Sequence, residues 1–331
     1  MIISKTPVRF SFFGGGTDYK EYFERNGGAV LGTTINKYTY VSVNKLSDFF
    51  EYKIRVGYSK SELVNDVKDI IHPSVRETLN FKNLRGNLDI HIFADLPART
   101  GLGSSSSFTV GFLNALYALE GNIVSKQKLA EEAIYIEQQL IKENVGCQDQ
   151  VHAAYGGLNL IEFNKLGFSV RPIVISNEKY DLLNASIMAF YTGLTRYATE
   201  IAAEQIENMK NRSKDEYLQK MFSMVFTAEK IISEDPAEDM IENLGKLLHE
   251  SWNLKKSLSN QISNADIDEA YRTAMAAGAY GGKLAGAGGG GFLFFLVPKE
   301  KQPSVKDSLK GLLQVDINFE NEGSKIIYLT H

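Results

Sequence analysis

Residues 97–107 read Pro97-Ala98-Arg99-Thr100-Gly101-Leu102-Gly103-Ser104-Ser105-Ser106-Ser107. The run LDIHIF at 88–93 precedes them, with Leu88, Ile90 and Ile92 in strand register, and a helical pattern at 105–120 follows. A strand that turns through glycines into a helix presents unpaired N–H groups and the positive end of the helix dipole. Gly101 and Gly103 permit close approach of a ligand, and the serine hydroxyls add donors or a magnesium ligand. This is the physics of a phosphate site. It is not a Walker A loop, because no Gly-Lys-Ser/Thr follows at the needed spacing. The plainer reading, serines as helix N-cap material, stays open.

Working outward, the chain alternates strand and helix patterns. VRFSFF, TINKYTYVSV at 34–43 and KIRVGY at 53–58 read as strands, and 61–80 carries a mixed helical pattern around His72-Pro73. A helix is expected at 126–143 with Ser125 as N-cap, then two short strands at 157–163 and 168–175. The polar stretch SNEKYDLLN at 176–184 reads as a turn and marks a domain boundary, giving domains 1–180 and 181–331. Beyond it come a strand in ASIMAFYTG, helices at 195–212, 215–234, 238–258 and 265–278, a strand at 291–297, a helix at 304–314 and a strand at 324–329. Mixed elements in both halves of a 331-residue chain predict an α+β or α/β protein of about two domains.

Two further glycine clusters flank the first. Gly14-Gly15-Gly16-Thr17-Asp18 follows VRFSFF; the glycines suit close approach, and Asp18 is placed either to accept hydrogen bonds from sugar hydroxyls or to cap a helix. GAYGGKLAGAGGGG at 278–291 holds eight glycines and matches GxGxxG from Gly286 to Gly291. A dinucleotide fold needs strand, glycines, helix; here the order is helix, glycines, strand, so a dehydrogenase is excluded. The glycines are expected to form a loop whose backbone crowds a ligand or another glycine loop.

Two carboxylates stand between these clusters. Glu137 falls in line with Ala130, Ala133, Ile134 and Ile141, beside the buried stripe of its helix; it wants a cation, or it is a rim residue paired with Lys142. Asp149 sits at the start of a small-residue helix, as a cap or as a working carboxylate. Cys147 and His152 lack the company a thiol protease needs, and a reduced core cysteine is the expectation.

Composition narrows the classes. Lys+Arg is 36 against Asp+Glu 40, so a polybasic nucleic-acid or membrane-surface binder is not expected. One cysteine excludes an internal disulfide and a multi-cysteine zinc site, and five histidines without HExxH spacing disfavour a zinc hydrolase. The opening MIISKTPVRFSFFGGG has no apolar h-region, and FLFFLV at 292–297 is too short to span a bilayer. A cytoplasmic protein, monomer or homodimer, is expected.

With three glycine motifs in this order and Glu137 and Asp149 between them, the sequence resembles the GHMP kinases from residue 5 to about residue 297. GGGTD in the first motif is similar to the subgroup that phosphorylates D-glycero-α-D-manno-heptose 7-phosphate. The resemblance implies a ribosomal protein S5 domain 2-like N-terminal domain, a ferredoxin-like C-terminal domain, and ATP, Mg²⁺ and a sugar phosphate in the cleft. It implies that Pro97, Arg99, Gly101, Leu102, Gly103, Ser104, Ser105, Ser106 and Ser107 wrap the ATP phosphates. Ser104 and Glu137 would hold Mg²⁺, Asp149 would be the base, and Arg9 would steady it. Gly14, Gly15, Gly16, Thr17, Asp18, Gly288 and Gly289 would border the acceptor. Galactokinases carry a glutamate and a histidine where Gly15 and Gly16 stand, which argues against galactose. Thr192, Gly193 and Arg196 open a helix after a strand and suit an acceptor phosphate, with Lys283 and Arg99 as further cations and a surface role for Arg196 still open. Fucose or N-acetylhexosamine 1-kinases are the alternative within the family. A non-catalytic sugar and ATP sensor is disfavoured by the presence of Ser104, Glu137, Asp149 and Arg9.

Overall fold

The computed structural model describes residues 1–98, 100–193 and 198–330. Strand β1 (Ile2–Phe13) leads through the first glycine motif and a short helix, α1 (Lys20–Asn26), into β2 (Gly28–Lys45). There follow β3 (Ile54–Gly57), β4 (Ser61–Val64), α2 (Pro73–Phe81), β5 (Leu88–Ala94), α3 (Ser104–Leu119), α4 (Lys126–Tyr135), α5 (Gln148–Tyr155), β6 (Asn159–Asn164) and β7 (Gly167–Pro172). The eighteen residues of β2 let it pair with β1 along one edge and serve three strands on the other: one near the chain's C-terminus at Thr34 and Ile35, β6 from Gly28 to Gly32, and β5 from Thr39 to Lys45. Helices α3 and α5 pack on this sheet, so the ends of β1 and β5 and the N-termini of α3 and α5 converge.

The second half runs α6 (Asn177–Ala185), β8 (Ile187–Tyr191), α7 (Ala198–Lys210), α8 (Asp215–Glu234), α9 (Ala237–Lys256), α10 (Ala265–Ala276), β9 (Gly281–Leu284), β10 (Phe292–Leu296), α11 (Gln302–Ser308) and β11 (Leu313–Val315). Its antiparallel sheet has the order β11-β8-β10-β9, the expected ferredoxin-like pattern. The chain then returns. β12 (Phe319–Glu320) pairs with β2, and β13 (Lys325–Leu329) pairs with β1. A cut at residue 180 therefore leaves the last strands of the larger sheet on the far side of the boundary.

Several local expectations change. SNEKYDLLN is helix α6, capped by Ser176, whose hydroxyl accepts from the Lys179 N–H at 3.3 Å. It reads as a turn because Leu183 is the one residue it buries fully. Residues 61–64 are a strand, and the helix expected at 304–314 stops at Ser308 and gives way to β11. Strand β9 hides inside the glycine cluster: a Cβ at Gly281 would lie 1.9 Å from the Gly245 carbonyl oxygen of α9. Helix and strand approach too closely there for a side chain, so no apolar alternation marks the strand. The helix expected over 126–143 changes at Ile136 into a π-helical turn, Ile136–Ile141. Ser125 caps its start as expected.

The two sheets share one core. Phe10 of β1 stacks on Phe294 of β10 with centroids 4.1 Å apart, and Val225, Ala228, Leu244 and Leu248 of α8 and α9 close around them. Burial of such rings is worth about 1.5–3 kcal/mol each, so the halves are held in one arrangement around the cleft. Among the described residues no helix is long and apolar enough to cross a membrane.

Candidate active site

The phosphate-type loop sits where sequence places it. Gly103 is the N-cap of α3 in the left-handed region (φ 75°), and no side chain caps the helix. The first N–H groups of α3 are thus left for a ligand. Pro97 and Ser105 are exposed, Gly101, Gly103 and Ser104 half-buried, and Leu102, Ser106 and Ser107 buried. Arg99 lies outside the described residues. Arg9 ties the loop to β1: its N–H donates to the Leu102 carbonyl at 3.0 Å and its Nη1 to the Gly101 carbonyl at 2.6 Å. Ser107 hydrogen-bonds inward, its Oγ donating to the Pro7 carbonyl at 2.8 Å.

The third glycine motif packs backbone against backbone on this loop. A Cβ at Gly286 would lie 2.6 Å from Gly101 Cα, and one at Gly291 2.2 Å from the Thr100 carbonyl oxygen. The expectation that one glycine loop crowds another describes this contact. Gly288 and Gly289 face the other way, onto Ile262, whose carbonyl accepts from the Gly289 N–H at 2.9 Å. Thr192 bonds to Gly291, its Oγ1 donating to the carbonyl at 2.9 Å, and Gly193 is exposed with open space around it. Arg196 lies outside the described residues.

Arg9 and Asp149 form a bidentate pair: Nε to Oδ1 at 2.8 Å and Nη2 to Oδ2 at 2.9 Å. The geometry is a planar fork on a carboxylate. Cys147, not Asp149, is the N-cap of α5, so the aspartate side chain is free for Arg9. A Cβ at Gly103 would lie 2.9 Å from Asp149 Oδ2, which places this carboxylate against the start of α3.

Glu137 is fully buried in the π-helical turn, a local widening that recurs at functional sites. Its Oε2 accepts from Ser106 Oγ at 2.8 Å and Gln150 Nε2 at 2.5 Å, while Oε1 has no hydrogen-bond partner. Burial pushes its carboxyl up to about 7. Ser106, rather than Ser104, is the serine whose hydroxyl reaches it. A pairing with Lys142 is not formed; that residue ends the turn in the left-handed region.

The first motif divides into residues that hold the turn and residues that face the cleft. A Cβ at Gly14 would lie 1.9 Å from the Ala29 carbonyl oxygen. Thr17 is buried and its Oγ1 donates to the Gly14 and Ala29 carbonyls while accepting from the Ala29 N–H. These contacts bind the turn to itself and to the start of β2. Asp18 is buried too: Oδ1 accepts from the Gly16 N–H at 3.0 Å and Oδ2 from the Gln148 N–H at 3.2 Å, fastening the turn to the first residue of α5, next to Asp149. Burial raises its carboxyl above the ordinary carboxylate range. Around Gly15 a Cβ would meet nothing closer than Gln148 Nε2 at 3.5 Å and Ser11 Oγ at 3.8 Å. Ser11 Oγ and Gln148 Oε1 are buried without a partner, polar groups that suit a hydroxylated ligand.

Sequence reasoning missed Ser11, Gln148, Gln150 and Lys255, and it placed Ser106 in the phosphate loop without its bond to Glu137. Lys255 continues the buried row of α9, Leu244, Leu248 and Ser251, at the spacing that singled out Glu137 on its own helix. Its ammonium donates to the Gly286 carbonyl. Lys283, considered for an acceptor phosphate, instead donates to the Ser11 and Phe12 carbonyls at 2.8 and 3.1 Å and holds β1. Cys147 and His152 are buried. The thiol is pushed up to about 12 by burial and the imidazole down to about 3, so both are neutral and neither is a nucleophile–base pair.

Comparison with known proteins points to one family. Residues 65–157 match the GHMP kinases N terminal domain and residues 237–313 the GHMP kinases C terminal domain. The chain is 32% identical to the D-glycero-alpha-D-manno-heptose 7-phosphate kinase of Campylobacter jejuni, covering 98% of each chain. It is 27% identical to the galactokinase of Pyrococcus furiosus, over 93% of this chain and 92% of the relative. In fold it is similar to the crystal structure of a D-glycero-D-manno-heptose 1-phosphate kinase from Bacteriodes thetaiotaomicron, with a TM-score of 0.80 at 22% identity over 100% of both chains. Identity of this extent along the whole chain, with both the N and the C terminal domain matched, makes this protein a member of the GHMP kinase family of ATP-dependent phosphotransferases.

Proposed function

We propose that this kinase transfers the γ-phosphoryl group of ATP to the anomeric hydroxyl of D-glycero-D-manno-heptose 7-phosphate, giving the 1,7-bisphosphate for nucleotide-heptose and surface-polysaccharide synthesis. The observation that carries the reading is the Arg9–Asp149 pair set against Gly103 at the start of α3. It puts a carboxylate where an acceptor hydroxyl must stand to meet a phosphate held by the helix. The sugar is chosen on the identity to the Campylobacter jejuni enzyme and on Gly15, which leaves room beside Ser11 and Gln148 for a large acceptor.

In this reading the α3 N–H groups and the loop Pro97–Ser107 bind the ATP phosphates, and Gly286–Gly291 braces them from the C-terminal domain. The Mg²⁺ site fits the residues present: Glu137 is a buried carboxylate with an orphan oxygen, hydroxyls lie alongside, and an oxygen-only site with few protein ligands is what this ion prefers. Mg²⁺, when bound, supplies neutralisation of phosphate charge. Asp149 takes the proton of the anomeric hydroxyl, which is more acidic than an ordinary alcohol, and Arg9 holds the Asp149 carboxylate aimed by its two-point contact. Ser11, Gly15, Asp18 and Gln148 border the sugar. Arg196, with Thr192 and Gly193, is assigned to the 7-phosphate from sequence alone. The site belongs to both halves: the nucleotide and base side to residues 1–180, the bracing loop to 181–331.

A coupled ATP-consumption assay over heptose 7-phosphate, mannose, fucose, galactose, N-acetylhexosamines and mevalonate tests it. Heptose 7-phosphate should give the highest kcat/KM. Faster turnover of an unphosphorylated sugar would replace the acceptor assignment.

A further inference from the structure

Lys255 is 6% exposed at the C-terminal end of α9, where a lysine has no packing reason to be. Its ammonium has three donors. One goes to the Gly286 carbonyl, and among the described residues no carboxylate lies within ion-pair distance to take the others. The charged groups facing it come from every element around the cleft mouth: Arg9 on β1, Asp18 in the turn after β1, Asp149 on α5 and Lys283 on β9. Gly286 in turn rests on Gly101 of the phosphate-type loop. Lys255 is thus fixed at the seam between the two glycine loops, beside the Arg9–Asp149 pair.

Resting on the kinase reading above, we propose that Lys255 is a catalytic residue whose ammonium donates to the non-bridging oxygens of the phosphoryl group as it passes from ATP to the acceptor. In that step the anomeric O–H bond breaks, its proton going to Asp149. The acceptor oxygen forms its bond to the γ-phosphorus, and the bond from that phosphorus to the β–γ bridging oxygen breaks, its electron pair leaving with ADP. Arg9 is committed to Asp149, and Lys283 gives two of its three donors to β1 carbonyls, so among the described residues Lys255 is the cation at this seam with the most donors left to give. Anchoring on a backbone carbonyl preorganises it, which is what makes a donor effective in a water-poor site.

Burial, with the Arg9 charge adding to it, lowers the Lys255 ammonium to about 8, against the pull of Asp18 and Asp149. The charged form is the working one, so kcat/KM of the wild type should fall as pH rises through about 8.

The test uses Lys255→Met and Lys255→Arg in the full chain. Lys255→Met should lower kcat about 10²–10³-fold with KM for ATP within a few-fold. By calorimetry it should bind ADP–Mg²⁺ like the wild type but lose at least about tenfold of the extra affinity for ADP–Mg²⁺ with aluminium fluoride, a mimic of the phosphoryl in flight. Lys255→Arg should recover part of kcat and move the alkaline limb upward, because arginine keeps its charge. Its limb reports on the proposal even if the Met variant folds poorly. The idea is overturned by an unchanged kcat, by equal losses for ADP with and without fluoride, by a higher sugar KM alone, or by an alkaline limb identical in Lys255→Arg. The fluoride titration needs no sugar, so it judges Lys255 even if the acceptor panel refutes the heptose assignment.

Discussion

The two sides of the cleft are built from different materials. On the kinase reading proposed above, the nucleotide side is backbone: the uncapped start of α3, Gly101 against Gly286 and Gly291 against Thr100. The acceptor side is side chains: Arg9 on Asp149, Asp18 on two N–H groups, Lys255 on a carbonyl, and the orphan groups of Ser11 and Gln148. A backbone surface recognises what every ATP shares and tolerates no added atom at the contact. A side-chain surface carries charge and protonation state, so it sets chemistry and acceptor choice.

The sharpest break falls on the side-chain surface. Asp149→Asn should lose about 10²–10⁴-fold in kcat while ATP binding, read by calorimetry, stays near wild type. Retained turnover would reduce Asp149 to a partner for Arg9. The same helix depends on a neutral neighbour. His152 is held down to about 3 by burial, and both its ring nitrogens lack partners. A depressed pKa gives stability that is complete above the unfolded value of 6.5 and is lost as pH falls toward the folded value of about 3. At pH 4 this amounts to about 3 kcal/mol. His152→Gln should therefore show a flatter Tm from pH 7 to pH 4 than the wild type; parallel curves would remove His152 from the acid response.

The backbone side should break more gently and selectively. Gly286→Ala sets a methyl 2.6 Å from Gly101 Cα at φ +72°, at a cost of about 1–3 kcal/mol. KM for ATP should rise about 5–100-fold, with the KM for sugar less affected. Gly15→Ala is the counterpart: its methyl has only ordinary contacts with Gln148 and Ser11, so folding stability should hold within about 0.5 kcal/mol and KM for ATP within about twofold while the sugar KM rises. Reversed outcomes in this pair would show that the two surfaces are not divided as described.

The motifs, their order and the α+β character were readable because each rests on local chemistry: a glycine run between strand and helix patterns, Leu88, Ile90 and Ile92 alternating, Glu137 on an apolar row. Strand β9 and helix α6 were not, since one is glycine against a helix and the other is polar on all but one face. Lys255 carried the same positional signal as Glu137, yet a lysine near a helix end is usually solvated, and nothing local distinguishes the buried case.

Local order thus belongs to the amino-acid sequence: which segments are loops able to meet phosphate, which carboxylates stand between them, and the family they indicate. Partnership belongs to the tertiary structure. That Ser106 reaches Glu137, that Lys283 turns into β1 while Lys255 faces the seam, and that 319–329 closes the first sheet depend on contacts between residues far apart in the chain. Such contacts are selected by close packing of the whole core, which fixes direction and distance to within an ångström and leaves no mark in any single segment.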